Sequence, residues 1–282
     1  MTKLIPLEDS WSDVIRKARR GLSLSEEQLS QKSGVSVTTI IELEKGELHL
    51  EKLEEIALPL RLDKNRLLGL ACGEYHPGLL ALPEGLALFT TPWNDFEVHS
   101  YLLWDAKTSV AAAFDTGSDA SEMLDFLKSH HLALKQIFLT HGHGDHVFEL
   151  DRLVEKTGAS AWIGERETVA GAVNFVIGRE FCVGSLKIET RSTWGHSSGG
   201  ISYVIHGLER PVAIVGDALF AGSIGGPMVS YDACLETNRR EIFSLSPETL
   251  LCPGHGPLTT VALERLHNPF FPVTDDQKTG EG

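Results

Sequence analysis

The sequence predicts an α/β (α+β) fold preceded by a small all-α domain, on three observations. Residues 1–70 carry capped, helix-period apolar runs. Beyond about residue 85, short apolar runs alternate with helical patterns, the rhythm of a sheet covered by helices. A histidine-rich stretch, Thr140-His141-Gly142-His143-Gly144-Asp145-His146, falls where one such run gives way to a helix. Open α/β sheets place their ligands at such strand-to-helix loops.

In chain order, Trp11 to Arg20 reads as a helix with Val14, Ile15 and Ala18 on one face. Ser25 opens a second as its N-cap, and Gln28, three residues on, completes a capping-box pattern. Gly34-Val35 makes a tight turn, and Ser36 can cap a third helix running to Glu44. Lys45-Gly46 ends that helix, and Leu53 to Leu60 begins another. Two short helices around a glycine turn are a helix-turn-helix signature. Residues 71–84, with Cys72 to Gly78 and the Pro83-Glu84-Gly85 turn, read as a linker.

A second domain is expected over residues 85–272. Strands are expected near 86–90, 99–104 and 109–114, then a helix near 120–130. Leu134 to Leu139 is a short apolar run that reads as a buried strand. Val147 to Lys156 suits a helix, with apolar residues at 147, 150, 153 and 154. Further strands are expected near 181–188, 201–205 and 211–215. Residues 273–282, rich in Asp, Lys, Gly and Glu, read as a disordered tail.

The chemistry concentrates in histidines and aspartates. Both are ligands that a borderline metal such as zinc accepts. His141 and His143 are two apart and can face the same way, while Asp145 and His146 aim from the turn, which favours two adjacent sites over one. Further on come three isolated candidates, each beside a glycine: His196 in Trp194-Gly195-His196-Ser197, Asp217 in Val215-Gly216-Asp217, and His255 in Pro253-Gly254-His255-Gly256. Together they supply donors for two ions. The plainer alternative, in a chain with 12 histidines, is a histidine-rich surface loop.

The order His-x-His-x-Asp-His, Gly-His-Ser, Gly-Asp, Pro-Gly-His-Gly-Pro resembles the metallo-β-lactamase-fold hydrolase superfamily. Asp217 to Gly225 and the ending His267-Asn268-Pro269-Phe270 are similar to its glyoxalase II-like branch in particular. The resemblance implies a four-layer αβ/βα sandwich holding two divalent metal ions, zinc first, with iron or manganese as alternatives. One ion would be held by His141, His143 and His196, the other by Asp145, His146 and His255. Asp217 would bridge them together with a hydroxide. Asp145 and His146 are then the expected catalytic residues, and Asp115, in Phe114-Asp115-Thr116-Gly117, is expected to orient a ligand histidine. Residues 11–70 resemble the lambda-repressor-like helix-turn-helix family through Leu29-Ser30, Gly34-Val35-Ser36, Ile40 and Glu44-Lys45-Gly46.

Composition bounds the partners. A net charge of −14 argues against broad electrostatic binding to nucleic acid or an anionic membrane. The start lacks a basic segment followed by an apolar run, and no stretch approaches a membrane span, so a cytoplasmic enzyme is expected. Cys72, Cys182, Cys234 and Cys252 are too scattered for a disulfide framework or a zinc knuckle. Residues 1–70 hold 11 Lys and Arg against 12 acids, and Val37, Ile41 and Glu42 stand where a recognition helix needs polar or basic groups. Arg16, Lys17, Arg19 and Arg20, the only basic cluster there, read as a solvated helix face. DNA binding is therefore not favoured. Packing on the second domain, or a homodimer through these helices, is the expectation.

For the substrate, the resemblance implies an acyl thioester. Only 27 residues follow His255, too few for the glutathione-binding helical domain of glyoxalase II proper. The loop after Gly225 runs Gly226-Pro227-Met228, where the family usually has Arg or Lys. Losing a charge-assisted hydrogen bond costs about 1.5–3 kcal/mol, enough to shift preference tenfold, so S-lactoylglutathione is not the favoured substrate. Two alternatives share the pattern: a mononuclear iron enzyme similar to persulfide dioxygenases, and a metabolite-sensing regulator that acts through the helix-turn-helix.

Overall fold

Side-chain caps set most of the N-terminal helices. In the computed structural model, which describes residues 4–272, α1 (Trp11–Gly21) starts at Ser10, whose hydroxyl accepts from Asp13 N while Asp13 accepts from Ser10 N. Ser25 and Gln28 close the same reciprocal box at α2 (Glu26–Ser33), and Ser36 caps α3 (Val37–Glu44). Each cap satisfies amide donors that the helix itself cannot. Next come α4 (Leu50–Ala57), one turn earlier than the apolar run suggested, and α5 (Lys64–Ala71), capped by Asp63 and not read from the sequence. The expected tail at 273–282 lies outside the described residues.

The remainder builds two six-stranded sheets. The first is β1 (Leu86–Trp93), β2 (Phe96–Asp105), β3 (Val110–Phe114), β4 (Ala133–Phe138), β5 (Ser160–Gly164) and β6 (Ala172–Phe175), side by side in chain order, with α6 (Ser121–Ser129) joining β3 to β4. After a separate short α7 (Gly144–Val147), the helix expected from Val147 begins at Leu150 as α8 (Leu150–Thr157). The second sheet runs β12-β11-β10-β9-β8-β7. Its strands are β7 (Glu180–Val183), β8 (Leu186–Ser192), β9 (Ile201–His206), β10 (Val212–Gly216), β11 (Leu250–Pro253) and β12 (Thr259–Thr260). Helices α9 (Tyr231–Thr237) and α10 (Val261–His267) complete it. The single strand expected over 181–188 is a hairpin instead. Gly184 turns it at φ +58, and Asp105 Oδ2 accepts from Ser185 N at 2.9 Å beside it.

Three cores separate the layers. Phe114, Phe138, Tyr203, Ile214 and Leu250 fill the space between the sheets. Ala111, Ala113, Ile137 and Leu139 meet Met123 and Leu127 of α6 and Leu153 of α8 outside the first sheet. Outside the second, Val204, Ala213, Val215 and Leu251 share one continuous cluster with Cys234, Val261 and the helical segment's Ile15, Leu53, Leu67 and Leu70. The N-terminal helices thus complete the outer layer of the second sheet. Polar ties reinforce the junction. Lys17 Nζ donates to Ile224 O at 2.8 Å, Asp63 N to Pro269 O at 2.8 Å, and Tyr75 Oη to Glu264 at 2.6 Å.

Candidate metal centre

The carboxyl ends of β3, β4, β8, β10 and β11 all open on one edge of the sandwich. From them come Asp115, then His141 and His143, then His196, Asp217 and His255, with Asp145 and His146 in α7 just beyond β4. Buried tyrosines pin two of those ends. Tyr203 Oη donates to Leu139 O and Tyr101 Oη to Pro253 O, each at 2.7 Å.

All seven donors expected from the sequence converge. His141, His143 and His196 form one group, His141, His146 and Asp217 a second, and Asp145, His146 and His255 a third, the ligand atoms of each lying within 4.8 Å of one another. Asp217 Oδ2 is 3.4 Å from both His196 Nε2 and His255 Nε2, and its Oδ1 is 3.3 Å from His146 Nε2. Asp145 Oδ2 is 3.3 Å from His255 Nε2 and 3.5 Å from His146 Nε2. Ligand atoms on a tetrahedral zinc, ~2.0–2.1 Å from the ion, stand roughly 3.3–3.4 Å apart. The fit is close.

Four of the five imidazoles are turned by their other nitrogen. His146 Nδ1 meets Asp115 Oδ2 at 2.8 Å, His196 Nδ1 meets Gly226 O at 2.7 Å, and His255 Nδ1 meets Glu97 O at 2.6 Å. His141 Nδ1 lies 3.0 Å from Thr140 Oγ1. These contacts direct four Nε2 atoms inward. His143 instead offers Nδ1, 2.9 Å from His141 Nε2 and 3.0 Å from His196 Nε2. Asp115 is itself fixed: Thr140 N and Thr140 Oγ1 donate to it at 2.7 and 2.8 Å, and its backbone takes φ +56, a conformation few non-glycine residues adopt.

Two atoms in the centre, His146 Nε2 and Asp217 Oδ1, are buried without a hydrogen-bond partner. Orphaned polar atoms of this kind are costly unless something else satisfies them, and inward-facing lone pairs on imidazole and carboxylate are a cation's natural complement. The electrostatics agree. Burial opposes the charge on Asp217, yet His146 and His255 beside it hold its carboxyl well below the usual range. Burial likewise lowers His146 and His255, but Asp217 and their other carboxylate contacts outweigh it, lifting them to about 10 and about 11. The two aspartates form a negative centre that attracts positive charge.

Some of the surroundings left no trace in the sequence pattern. Glu8 lies against Gly256, its carboxyl raised by burial, and Ile5 to Glu8 wall a cavity of about 540 Å³ with Phe96 and His99. His99, pushed down to about 4 by burial, bridges Thr90 and Gly256 O. No local motif marks a segment that reaches its site only through tertiary packing. Phe96 and Phe220 approach the His255 ring edge-on at 5.2 and 5.6 Å, and Trp93 stacks edge-on with the exposed Phe148. The rim is aromatic.

Comparison with known proteins agrees with this geometry. A profile of the metallo-beta-lactamase superfamily matches residues 93–255, and a helix-turn-helix profile matches residues 15–65. A probable metallo-hydrolase of Streptococcus pyogenes is 30% identical over 185 residues, 56% of this chain and 79% of that protein. The hydroxyacylglutathione hydrolase GloC of Haemophilus influenzae is 29% identical over 205 residues, 64% of this chain and 95% of that one. Among solved structures, BLEG-1 B3 metallo-beta-lactamase superposes with a TM-score of 0.58 at 27% identity, covering 65% of this chain and 99% of that one.

Proposed function

As a member of the metallo-beta-lactamase superfamily, this chain is a metal-dependent hydrolase, and we propose that it cleaves acyl thioesters with two metal ions. His141, His143 and His196 would hold one ion, Asp145, His146 and His255 the other, and Asp217 both. The observation that carries the reading is the position of Asp217, whose carboxylate lies within 3.4 Å of His146, His196 and His255 at once. When bound, the two cations supply Lewis acidity toward a carbonyl and a water acidic enough to ionise near neutral pH.

The chain's own groups do the rest. Asp115 holds the His146 proton on Nδ1, which leaves Nε2 free as a ligand. Gly226 O and Glu97 O do the same for His196 and His255. Two aspartates offset part of the charge of two divalent ions and leave a positive field that favours the oxyanion developing on the substrate. Phe96, Phe148 and Trp93 give the mouth an apolar lining suited to an acyl chain. The thioester class is supported by the likeness to hydroxyacylglutathione hydrolase GloC, whose named substrate is a thioester.

Metal analysis of the purified protein beside a panel of acyl thioesters tests the reading. The expected result is about two divalent ions per chain, with hydrolysis that chelation abolishes and zinc restores. A zinc-loaded sample inert toward every thioester and lactone offered overturns it. One iron per chain, with oxygen uptake on a persulfide, selects the mononuclear alternative.

A further inference from the structure

Arg16, Lys17, Arg19 and Arg20 crowd one stretch of α1 in a chain whose net charge is −14. Three of the four have carboxylate partners. Arg16 pairs with Asp13 and Lys17 with Asp9, while Arg19 grips Glu44 through two hydrogen bonds and also meets Glu26 at 2.7 Å. Arg20 is exposed and has neither an ion pair nor a side-chain hydrogen bond among the described residues. Its surroundings are not open solvent alone. Asp13, Arg16, Lys17, Arg20 and Gly21 form one wall of a cavity of about 320 Å³, where Asp13 pairs with Arg16 and Arg20 is left over, and Gly226, Pro227 and Met228 form the other.

That cavity adjoins the metal centre. Gly226 O is the atom that turns His196, at 2.7 Å from its Nδ1. Lys17 donates to Ile224 O on the same loop, and its ammonium sits 5.1 Å from the centre of the Phe220 ring, which in turn faces His255. So α1 is clamped to the rim of the donor cluster at two points, with Arg20 one helical step beyond Lys17. The opposing loop has no charged side chain, and Met228 is 72% exposed. A wall with three cations against the one carboxylate of Asp13, facing an apolar loop, complements a carbon chain that ends in a carboxylate.

We propose that α1 of the helix-turn-helix segment is a substrate-specificity element, and that Arg20, with Arg16 beside it, binds a carboxylate on the thioester several bonds from the reacting carbonyl. The inference rests on the thioester reading above. It also locates a charge that the loop at 226–228 lacks, on an element outside residues 93–255 that match the superfamily profile. A guanidinium forms charge-assisted hydrogen bonds to a carboxylate.

Three substrates test it on the metal-loaded full chain: the succinyl thioester of mercaptoethanol, the acetyl thioester of mercaptopropionate, and the acetyl thioester of mercaptoethanol, which carries no carboxylate. The wild type is expected to prefer a carboxylate-bearing substrate in kcat/KM, and whichever it prefers tells whether the acid sits on the acyl or the thiol side. In Arg20→Ala that preference should fall about tenfold through KM, and Arg20→Glu should reverse it. Lys64→Ala removes a like charge elsewhere in the helical segment and should leave the preference alone. Equal turnover of all three by the wild type, or a preference indifferent to Arg20→Glu, overturns the inference and leaves the hydrolase reading intact. Calorimetric binding of the inert thioether S-benzylthioglycolate separates the two claims. Binding lost in Arg20→Glu supports the carboxylate site even if no thioester turns over, and equal binding by both proteins refutes it.

Discussion

His146 shows how one side chain depends on a neighbour that touches no substrate. Its ring is fully buried, and among the described residues Asp115 alone holds Nδ1. Replacing Asp115 with Ala removes that acceptor and strands Thr140 N and Thr140 Oγ1, which donate to the same carboxylate. Metal affinity is expected to fall about 10–100-fold, because partners of ligand histidines typically matter by that much. Competition with a chromogenic chelator measures it, and an unchanged affinity refutes the role. At this scale much was legible. The seven donors sit in short glycine-flanked motifs that local reading can find, and glycine at 195 is required because Cys234 packs where its side chain would be. Glu8 was not legible beside the site, since its neighbours there, Phe96, His99 and Gly256, are far from it in the chain.

Among the elements, α2 and α3 could be read because their serine caps are three-residue events, whereas α5, capped by Asp63, was not. The hairpin of β7 and β8 reads as one strand, although the apolar positions change phase from 181 and 183 to 186 and 188 across Gly184-Ser185, the trace its two-residue turn leaves. Helix α3 bears on nucleic acid. Ile40 and Leu43 are buried, whereas Ile41 is 39% exposed and Val37 half-buried. The helix itself contains no Lys or Arg, and Glu42 and Glu44 lie along it. A duplex would meet an apolar and acidic surface with nothing to neutralise phosphates. A gel-shift screen with random duplex at low salt is expected to show no tight complex. A retarded band that persists at physiological salt would show that the basic end of α1 compensates.

For the molecule as a whole, the deciding feature is the cluster that joins Ile15, Leu53 and Leu67 to Val204, Val215 and Leu251. The sequence left open whether the helical segment packs inward or pairs with a second copy, because both need an apolar face and only the tertiary contact distinguishes them. Removing residues 1–70 would bare the outer face of the second sheet. Each Val or Leu returned to water costs about 1.5–3 kcal/mol, against a typical total stability of about 5–15 kcal/mol. The shortened chain is expected to aggregate on expression, and the full chain to melt in one calorimetric transition. Two separate transitions, together with a soluble and folded remnant, would contradict this.

A consequence reaches beyond stability. Appended modules are commonly traded between proteins like beads on a string, joined by a tether that asks nothing of either side. Here Gly21 rests flat against the Tyr231 ring, and Arg66 reaches the backbone of Asn268 and Phe271. Any replacement module would have to bring a matching surface with it, so these helices cannot be exchanged without recutting the face they cover.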